Sequence, residues 1–388
     1  PVQIGADFSE MLVLNLRPPI LGCVFLRELE FQLRARGSEL FMQVRTLVGI
    51  LLVDVRAHIG EMLVMIFDQL VLHSLLLREL LVKTNAHSRE VLVVILNQLQ
   101  PATRYEYQAG WIASEEDVEL DWSGADSGEF LTNRADADIT RFLFGSCCYR
   151  FVGLDGEIQD DRADKIFAEM SARAETSKPD FVLFGGDQVY ADSMYVFGAA
   201  TTRDDFDALY RESFSQPHLA KLLRETNSYM ILDDHEIENN WPSRANAELW
   251  TSKYPAAIKA YQIYQASHSP AAPLNEAGTY LDRDPDRFWY SFSRGPADFF
   301  VMDVRTERVL SRWPWQRRMI GDIQEQAFIE WLDRDPDRIK VLVTSVLLFP
   351  EQRRPFRGKD AWEGFLHQRQ RLLEAMGRSR SEKLVVLS

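Results

Sequence analysis

The chain has two textures. Before residue 140 many apolar residues alternate with polar ones, whereas after it they gather into short unbroken runs separated by amphipathic stretches. The clearest alternation is Glu28–Arg36, where Leu29, Phe31, Leu33 and Ala35 share one face, as in a half-buried strand. Val91–Leu96 reads as another strand. Beyond Pro101, Arg104–Gln108 sets Tyr105 and Tyr107 on one face, and Gly110 is expected to end it. Shorter alternations follow at Val118–Trp122 and Glu129–Thr132. Spaced short strands with turn residues between them predict a small β-sandwich. Met62–Val82 fits neither period: its leucine content favours helix, its flanks favour buried strands, and strands are the expectation.

After residue 140, strands alternate with helices, which marks an α/β layered architecture. Phe142–Phe144, Phe181–Phe184, Tyr229–Leu232, Phe299–Met302, Lys340–Ser345 and Leu384–Leu387 are apolar or nearly so, as buried strands of a layered sheet are. Between the first two, Asp161–Thr176 carries Ile166, Phe167, Met170 and Ala174 at helical spacing.

At 388 residues the chain suits two units. Its 44 basic and 58 acidic side chains give a formal charge of −14, which repels a phosphate backbone and argues against sequence-specific nucleic-acid binding. An anionic ester would need local attraction, and bound multivalent cations can reverse the sign of one pocket. Three cysteines, two of them the neighbours Cys147 and Cys148, supply no disulfide framework. No apolar run approaches the ~20 residues of a membrane span, so a soluble chain is expected. The compartment stays open.

Polar clusters follow the apolar strands, where open α/β sheets place their ligands. Phe144-Gly145-Ser146-Cys147 ends in a thiol, suited to be a metal ligand, a nucleophile or a small buried hydrophobe. Gly185-Gly186-Asp187-Gln188-Val189-Tyr190 combines a sharp turn with a carboxylate able to bridge two cations, and Asp192 follows. Asp233-Asp234-His235-Glu236 packs four ionisable groups at the end of a buried strand, an arrangement with no packing rationale unless a cation compensates the charge. His235 is either a ligand or the acid that protonates a leaving oxygen, and the amide oxygen of Asn239 suits a hard cation. Asp303–Arg308 offers guanidinium forks for a phosphate, or structural ion pairs. Thr344-Ser345 and Asp360–Gly364 read as scaffold.

In this order, Phe-Gly-Ser-Cys, Gly-Asp-Gln-Val-Tyr-Ala-Asp, Asp-Asp-His-Glu-Ile-Glu-Asn-Asn-Trp and Met-Asp-Val-Arg-Thr-Glu-Arg resemble the PhoD-like alkaline phosphatases and phosphodiesterases of the metallophosphoesterase superfamily. The resemblance covers roughly residues 140 to 388, and Leu99–Tyr107 is similar to the end of the family's fibronectin-like sandwich. It implies an αββα-type metallophosphoesterase domain over residues 139–388, preceded by a fibronectin-like β-sandwich over residues 1–138. It makes Cys147 and Tyr190 ligands of a ferric ion, Asp187 the carboxylate between metals, and Asn239 a ligand of a second cation, typically calcium or another divalent ion. Asp234 and His235 fall at the family's acid–histidine pair, and Arg305 at a phosphate contact.

The implied activity is hydrolysis of small-molecule or polymeric phosphate mono- or diesters by a metal-bound hydroxide, with His235 assisting the leaving group. Relatives continue the strand Lys383–Ser388 into a Gly-Asp-Val-His turn that completes the metal site, whereas this sequence stops at Ser388. That departure sets a second expectation beside the first, an impaired metal- or phosphate-binding module. A cysteine hydrolase built on Cys147 is a third, for which the sequence suggests no base.

Overall fold

The computed structural model describes residues 10–17, 44–47, 50–54, 63–66, 79–84, 92–95, 99–112, 126–134, 137–149, 151–152, 158–160, 162–192, 199–243, 245–270, 287–349 and 360–388. The chain divides into two compact units, one built on Pro1–Asn133 and the other on Arg134–Pro273 with Pro285–Ser388.

The first unit contains β1 (Glu10–Arg17), β2 (Val44–Leu47), β3 (Ile50–Asp54), β4 (Leu63–Ile66), β5 (Glu79–Thr84), β6 (Leu92–Ile95), β7 (Arg104–Ile112) and β8 (Asp126–Leu131). Six of them form one sheet in the order β2-β3-β5-β1-β7-β8, and β4 pairs with β6. Strands at Leu63–Ile66 and Glu79–Thr84 fall in or at the edge of the leucine-rich stretch that fits neither period. Contrary to expectation, Gly110 does not end β7: it pairs with Val13 of β1, and that ladder carries the strand on to Ile112. Paired backbone groups outweigh the weak strand preference of one glycine. Tyr105 of β7 lies opposite Phe130 of β8, with ring centroids 5.5 Å apart. The predicted strands at Glu28–Arg36 and Val118–Trp122 lie outside the described residues.

The second unit is a layered α/β structure. It contains β9 (Phe142–Gly145), β10 (Phe151–Val152), β11 (Ile158–Asp160), α1 (Arg162–Ser177), β12 (Phe181–Phe184), α2 (Arg203–Phe214), α3 (Pro217–Glu225), β13 (Ser228–Met230) and α4 (Tyr254–Tyr264). It continues through β14 (Tyr290–Arg294), β15 (Ala297–Met302), α5 (Asp322–Asp333), β16 (Ile339–Thr344), α6 (Leu366–Arg378) and β17 (Leu384–Leu387). One sheet is parallel, in the order β13-β12-β9; the other runs β14-β15-β16-β17 and is parallel except for the antiparallel edge β14.

Period-two alternation explains why two sheets can stack. On β12, Phe181 and Leu183 face the core between the sheets, while Val182 and Phe184 pack with Phe167 of α1 and Leu219 and Leu222 of α3. On β15, Phe299 and Val301 face the first core and Phe300 and Met302 meet Phe328 and Trp331 of α5. Stacked and edge-on rings fill the space between the sheets: Phe181 lies 5.3 Å from Phe142 and from Phe299, and Phe292 lies 4.7 Å from Phe299. The predicted α1 face needs one correction. Phe167 is buried and Met170 and Ala174 pack beside it, but Ile166 is exposed, because the contact stripe is centred a residue further along the helix. Among the described residues, no helix is long and apolar enough to cross a membrane.

A short 3₁₀ turn at Ala266–His268 seals the start of β13: His268 Nδ1 lies 2.8 Å from Ser228 Oγ, and burial lowers the His268 pKa to about 4. The unfolded chain therefore takes up a proton below about pH 6.5 that the folded chain refuses until about pH 4. This contribution to stability is present above pH 6.5 and is lost as pH falls through that window. Urea unfolding of His268→Gln is expected to show a weaker loss of midpoint between pH 7 and pH 5 than the wild type.

Candidate metal centre

The parallel strands of each sheet end on one side, and the loops leaving β9, β12, β13 and β15 carry the polar clusters. Backbone bonds lock the first two loops together: Cys147 N–H donates to the Gly186 carbonyl at 3.0 Å and Cys148 N–H to the Asp187 carbonyl at 2.8 Å. Both site residues occupy the left-handed region, with φ +61° at Cys147 and +57° at Asp187, a conformation that persists only where surroundings enforce it. At Gly186, φ is +109° and an added Cβ would stand 2.6 Å from the Cβ of Asp233. Only glycine allows the β12 and β13 loops to come this close.

Within this frame Cys147 Sγ lies 3.4 Å from Asp187 Oδ2, and the Tyr190 ring packs 4.2 Å from the His235 ring. The backbone N–H of His235 donates to Asp187 Oδ1 at 3.2 Å. Ligating atoms of Asp187, Asp234 and His235 all lie within 4.8 Å of one another, an arrangement able to hold a metal ion. Asn239 sits one turn along the same loop, its side-chain oxygen accepting from Asn240 Nδ2 at 2.9 Å. Asn240 N–H in turn donates to Asp234 Oδ2.

The electrostatics of this cluster are strongly unfavourable without a cation. Burial, followed by the negative charge of Asp233, Glu236, Asp234 and Cys147, pushes the Asp187 carboxyl up to about 11. Burial, with Asp187 and Cys147, also raises the Tyr190 hydroxyl far above its ordinary value. Burial raises Asp233 to about 7 even though Arg305 opposes it. Asp234 behaves differently: burial works against its charge, but Arg305, His235 and the Asn240 N–H together hold it below the usual carboxylate range.

Two groups without an assigned role in the sequence organise the site. Glu236 is fully buried, and its carboxylate accepts from the backbone N–H groups of Asp187 (3.1 Å), Gln188 (2.7 Å) and Asp233 (2.8 Å), and from Gln265 Nε2 at 3.0 Å. It pins the β12 turn to the β13 turn. Asp192, also buried, takes His235 Nδ1, which leaves Nε2 as the ring's free coordinating or proton-carrying atom. Burial lowers the His235 pKa, but the Asp192 bond and the charges of Asp234, Asp192 and Glu236 outweigh it and leave the imidazole above its ordinary value. The run of acids around His235 signalled such groups; nothing in the one-dimensional order paired Asp192 with His235. A π-helical turn, Leu249–Lys253, adds a clamp: Lys253 Nζ bonds the Ala191 carbonyl at 3.3 Å and the Glu238 carboxylate.

Arg305 is placed at the site but is committed within the protein. Its guanidinium reaches Asp233 at Nε, Asp234 at 3.1 Å, Asp360 at 2.6 Å and the Trp241 carbonyl at 3.1 Å. These contacts tie the Arg305 guanidinium to the β13 turn and to Asp360. Ser345 Oγ donates to Asp233 Oδ1 at 2.8 Å. Ser345 and Asp360, read from sequence as scaffold, thus belong to the shell that holds the β13 turn.

Two stacked sheets flanked by helices, with carboxylates, a histidine and a thiol gathered beyond their parallel strand ends, define a metallophosphoesterase-like fold. The chain belongs to the PhoD-like phosphatase family, whose model matches residues 147–388. Among solved structures, one titled "Structure of PhoD" is similar at a TM-score of 0.55 and 19% identity, covering 80% of this chain and 58% of that one. A purple acid phosphatase, PPD1, from yellow lupin (Lupinus luteus) seeds aligns at a TM-score of 0.44 and 12% identity, over 93% of this chain and 52% of that one. This chain therefore spans little more than half the length of these structures. No curated protein matches it.

Proposed function

We propose that the chain hydrolyses phosphate mono- or diesters with the help of bound cations. Supporting this reading above all is the convergence of Asp187, Asp234 and His235 within 4.8 Å, with Cys147 Sγ 3.4 Å from the same Asp187. The donor set fits the groups expected: a thiol, a phenol and a carboxylate from Cys147, Tyr190 and Asp187 suit a ferric ion, and the Asn239 amide oxygen suits calcium or another hard divalent ion. When bound, such cations lower the pKa of water and neutralise charge on a phosphoryl group. The protein's own residues then do the rest. Asp192 fixes the His235 tautomer and strengthens the imidazole's hold on a proton, which Nε2 can give to the departing oxygen. Arg305 and the Asn240 N–H hold Asp234 ionised beside it, and Glu236 fixes the spacing of the two turns.

Elemental analysis of the purified chain, alongside assays with p-nitrophenyl phosphate and bis-p-nitrophenyl phosphate, tests the proposal. Iron with calcium or another divalent ion is expected, with turnover lost on chelation; full activity without metal would refute it. His235→Ala is expected to lower kcat by about 10²–10⁴. Asp192→Asn should lower kcat less and move the alkaline limb of the pH–rate profile to lower pH, because the imidazole then loses its anionic partner and gives up its proton more readily.

A further inference from the structure

Beyond the hydrolytic reading, the geometry points to a docking surface for a lipid bilayer with anionic headgroups, formed by the loop Val309–Arg318 and the residues beside the start of α6. The argument begins with misplaced apolar side chains. Of the 13 large apolar side chains exposed among the described residues, six lie in this region: Val309, Trp313, Trp315, Leu347, Phe349 and Leu366, each 43–58% exposed. Three observations put them together. The 3₁₀ turn Pro314–Gln316 packs on α6 and on the turn Trp362–Phe365 that leads into it. Gln368 of α6 accepts from the N–H groups of Met319 and Ile320 and donates to the Ile320 carbonyl. Arg369, one turn after Leu366, donates to the Leu348 carbonyl at 2.7 Å, which brings Leu347 and Phe349 to the same helix end.

The loop is built to hold its tryptophans in the open. Val309 and Arg318 close its base with two backbone bonds of 2.8 and 3.1 Å. Inside, Ser311 accepts from the Trp313 N–H and donates to Gln316, and its carbonyl takes Arg317 Nε. Trp313 and Trp315 stack at 4.9 Å and the Arg312 guanidinium covers the Trp313 ring at 4.8 Å. A rigid loop keeps these rings from folding back onto the protein, so their apolar area stays in water unless another surface covers it.

Charge and shape select the occupant. Although the chain as a whole is strongly acidic, Arg308–Ile320 contains four arginines and no acid; Arg308 is buried beside Asp360 and Arg318 pairs with Asp322, so the local sign rests on Arg312 and Arg317 beside the tryptophans, and it favours an anionic partner. Tryptophan at a headgroup boundary, arginine beside it and aliphatic side chains reaching further in is the composition of an interfacial anchor. Val309, Leu347 and Leu366 have no face for stacking a base, which disfavours a polynucleotide. The patch is also close to the metal centre: Asp360, two residues before Trp362, bonds Arg305. The surface would bring an anionic interface alongside the catalytic loops.

Co-sedimentation of the full chain with phosphatidylglycerol–phosphatidylcholine vesicles, and with phosphatidylcholine alone, tests this. Binding to the anionic vesicles that weakens with salt is expected, and Trp313→Ser with Trp315→Ser should lower the partition coefficient about tenfold. That double variant should keep the wild-type unfolding midpoint, since both rings are exposed, and Trp315→Ser alone provides a milder check should the pair disturb folding. Absence of binding, equal binding to neutral vesicles, or binding unchanged in both variants would overturn the proposal. So would tryptophan-dependent binding of a single-stranded oligonucleotide, or tryptophan-dependent self-association in sedimentation velocity, in place of vesicle binding.

Discussion

Asp187→Asn is expected to abolish metal retention and lower turnover by at least about a thousandfold, yet to raise the unfolding midpoint of the metal-stripped protein. Burial and four neighbouring negative groups raise this carboxyl to about 11, so the metal-free folded chain must hold a proton there at neutral pH while the unfolded chain does not. The folded-state pKa lies above the unfolded value near 4. The associated stability is therefore fully present below pH 4 and falls steadily as pH rises toward 11. At pH 8 the loss is on the order of a few kcal/mol. Asparagine removes this proton linkage, keeps an oxygen for the His235 N–H, and tolerates the left-handed backbone at φ +57°. Adding metal should reverse the order, because the wild type gains RT ln(1 + [M]/Kd) and the variant does not. Calorimetry at pH 6 and pH 8, with and without chelator, checks all of this; a wild type as stable as the variant in chelator at pH 8 would contradict it.

Arg305→Met should be the most destabilising single change at the site, by about 3–5 kcal/mol. The guanidinium is buried and reaches Asp233 and Asp234 on one loop and Asp360 on another, so its removal strands three acids at once. Without it burial raises Asp233 further above its unfolded value and Asp234 loses the charge that holds it down, so stability is lost as pH rises through the shifted range. The variant should therefore approach the wild type at pH 5 and diverge from it at pH 8, as read by urea midpoints. Pairing it with Asp360→Asn should recover part of the loss in a double-mutant cycle; strict additivity would mean that the two groups do not interact.

How much of this was legible beforehand depended on whether the controlling interaction was local. β12 and its turn were readable because Phe181–Phe184 is apolar throughout and Gly185-Gly186-Asp187 follows directly; a buried strand and a sharp turn need only adjacent residues to declare themselves. The burial of Asp233–Glu236 was readable for the same reason. Ile166 and Gly110 were misread because helix rotation and strand length are set by the partner surface, which lies elsewhere in the chain.

The order of strands, the polar clusters after them and the residue types able to hold cations were thus fixed by the sequence itself, since short-range pattern and charge crowding need no partner to be recognised. Which carboxylate steadies His235, that Glu236 pins two turns, and that Arg305 bridges Asp233, Asp234 and Asp360 were decided only by the tertiary structure. Those pairings join groups 43 to 72 positions apart. At such separations burial and hydrogen-bond geometry choose the partner, and neither is present until the two sheets have stacked.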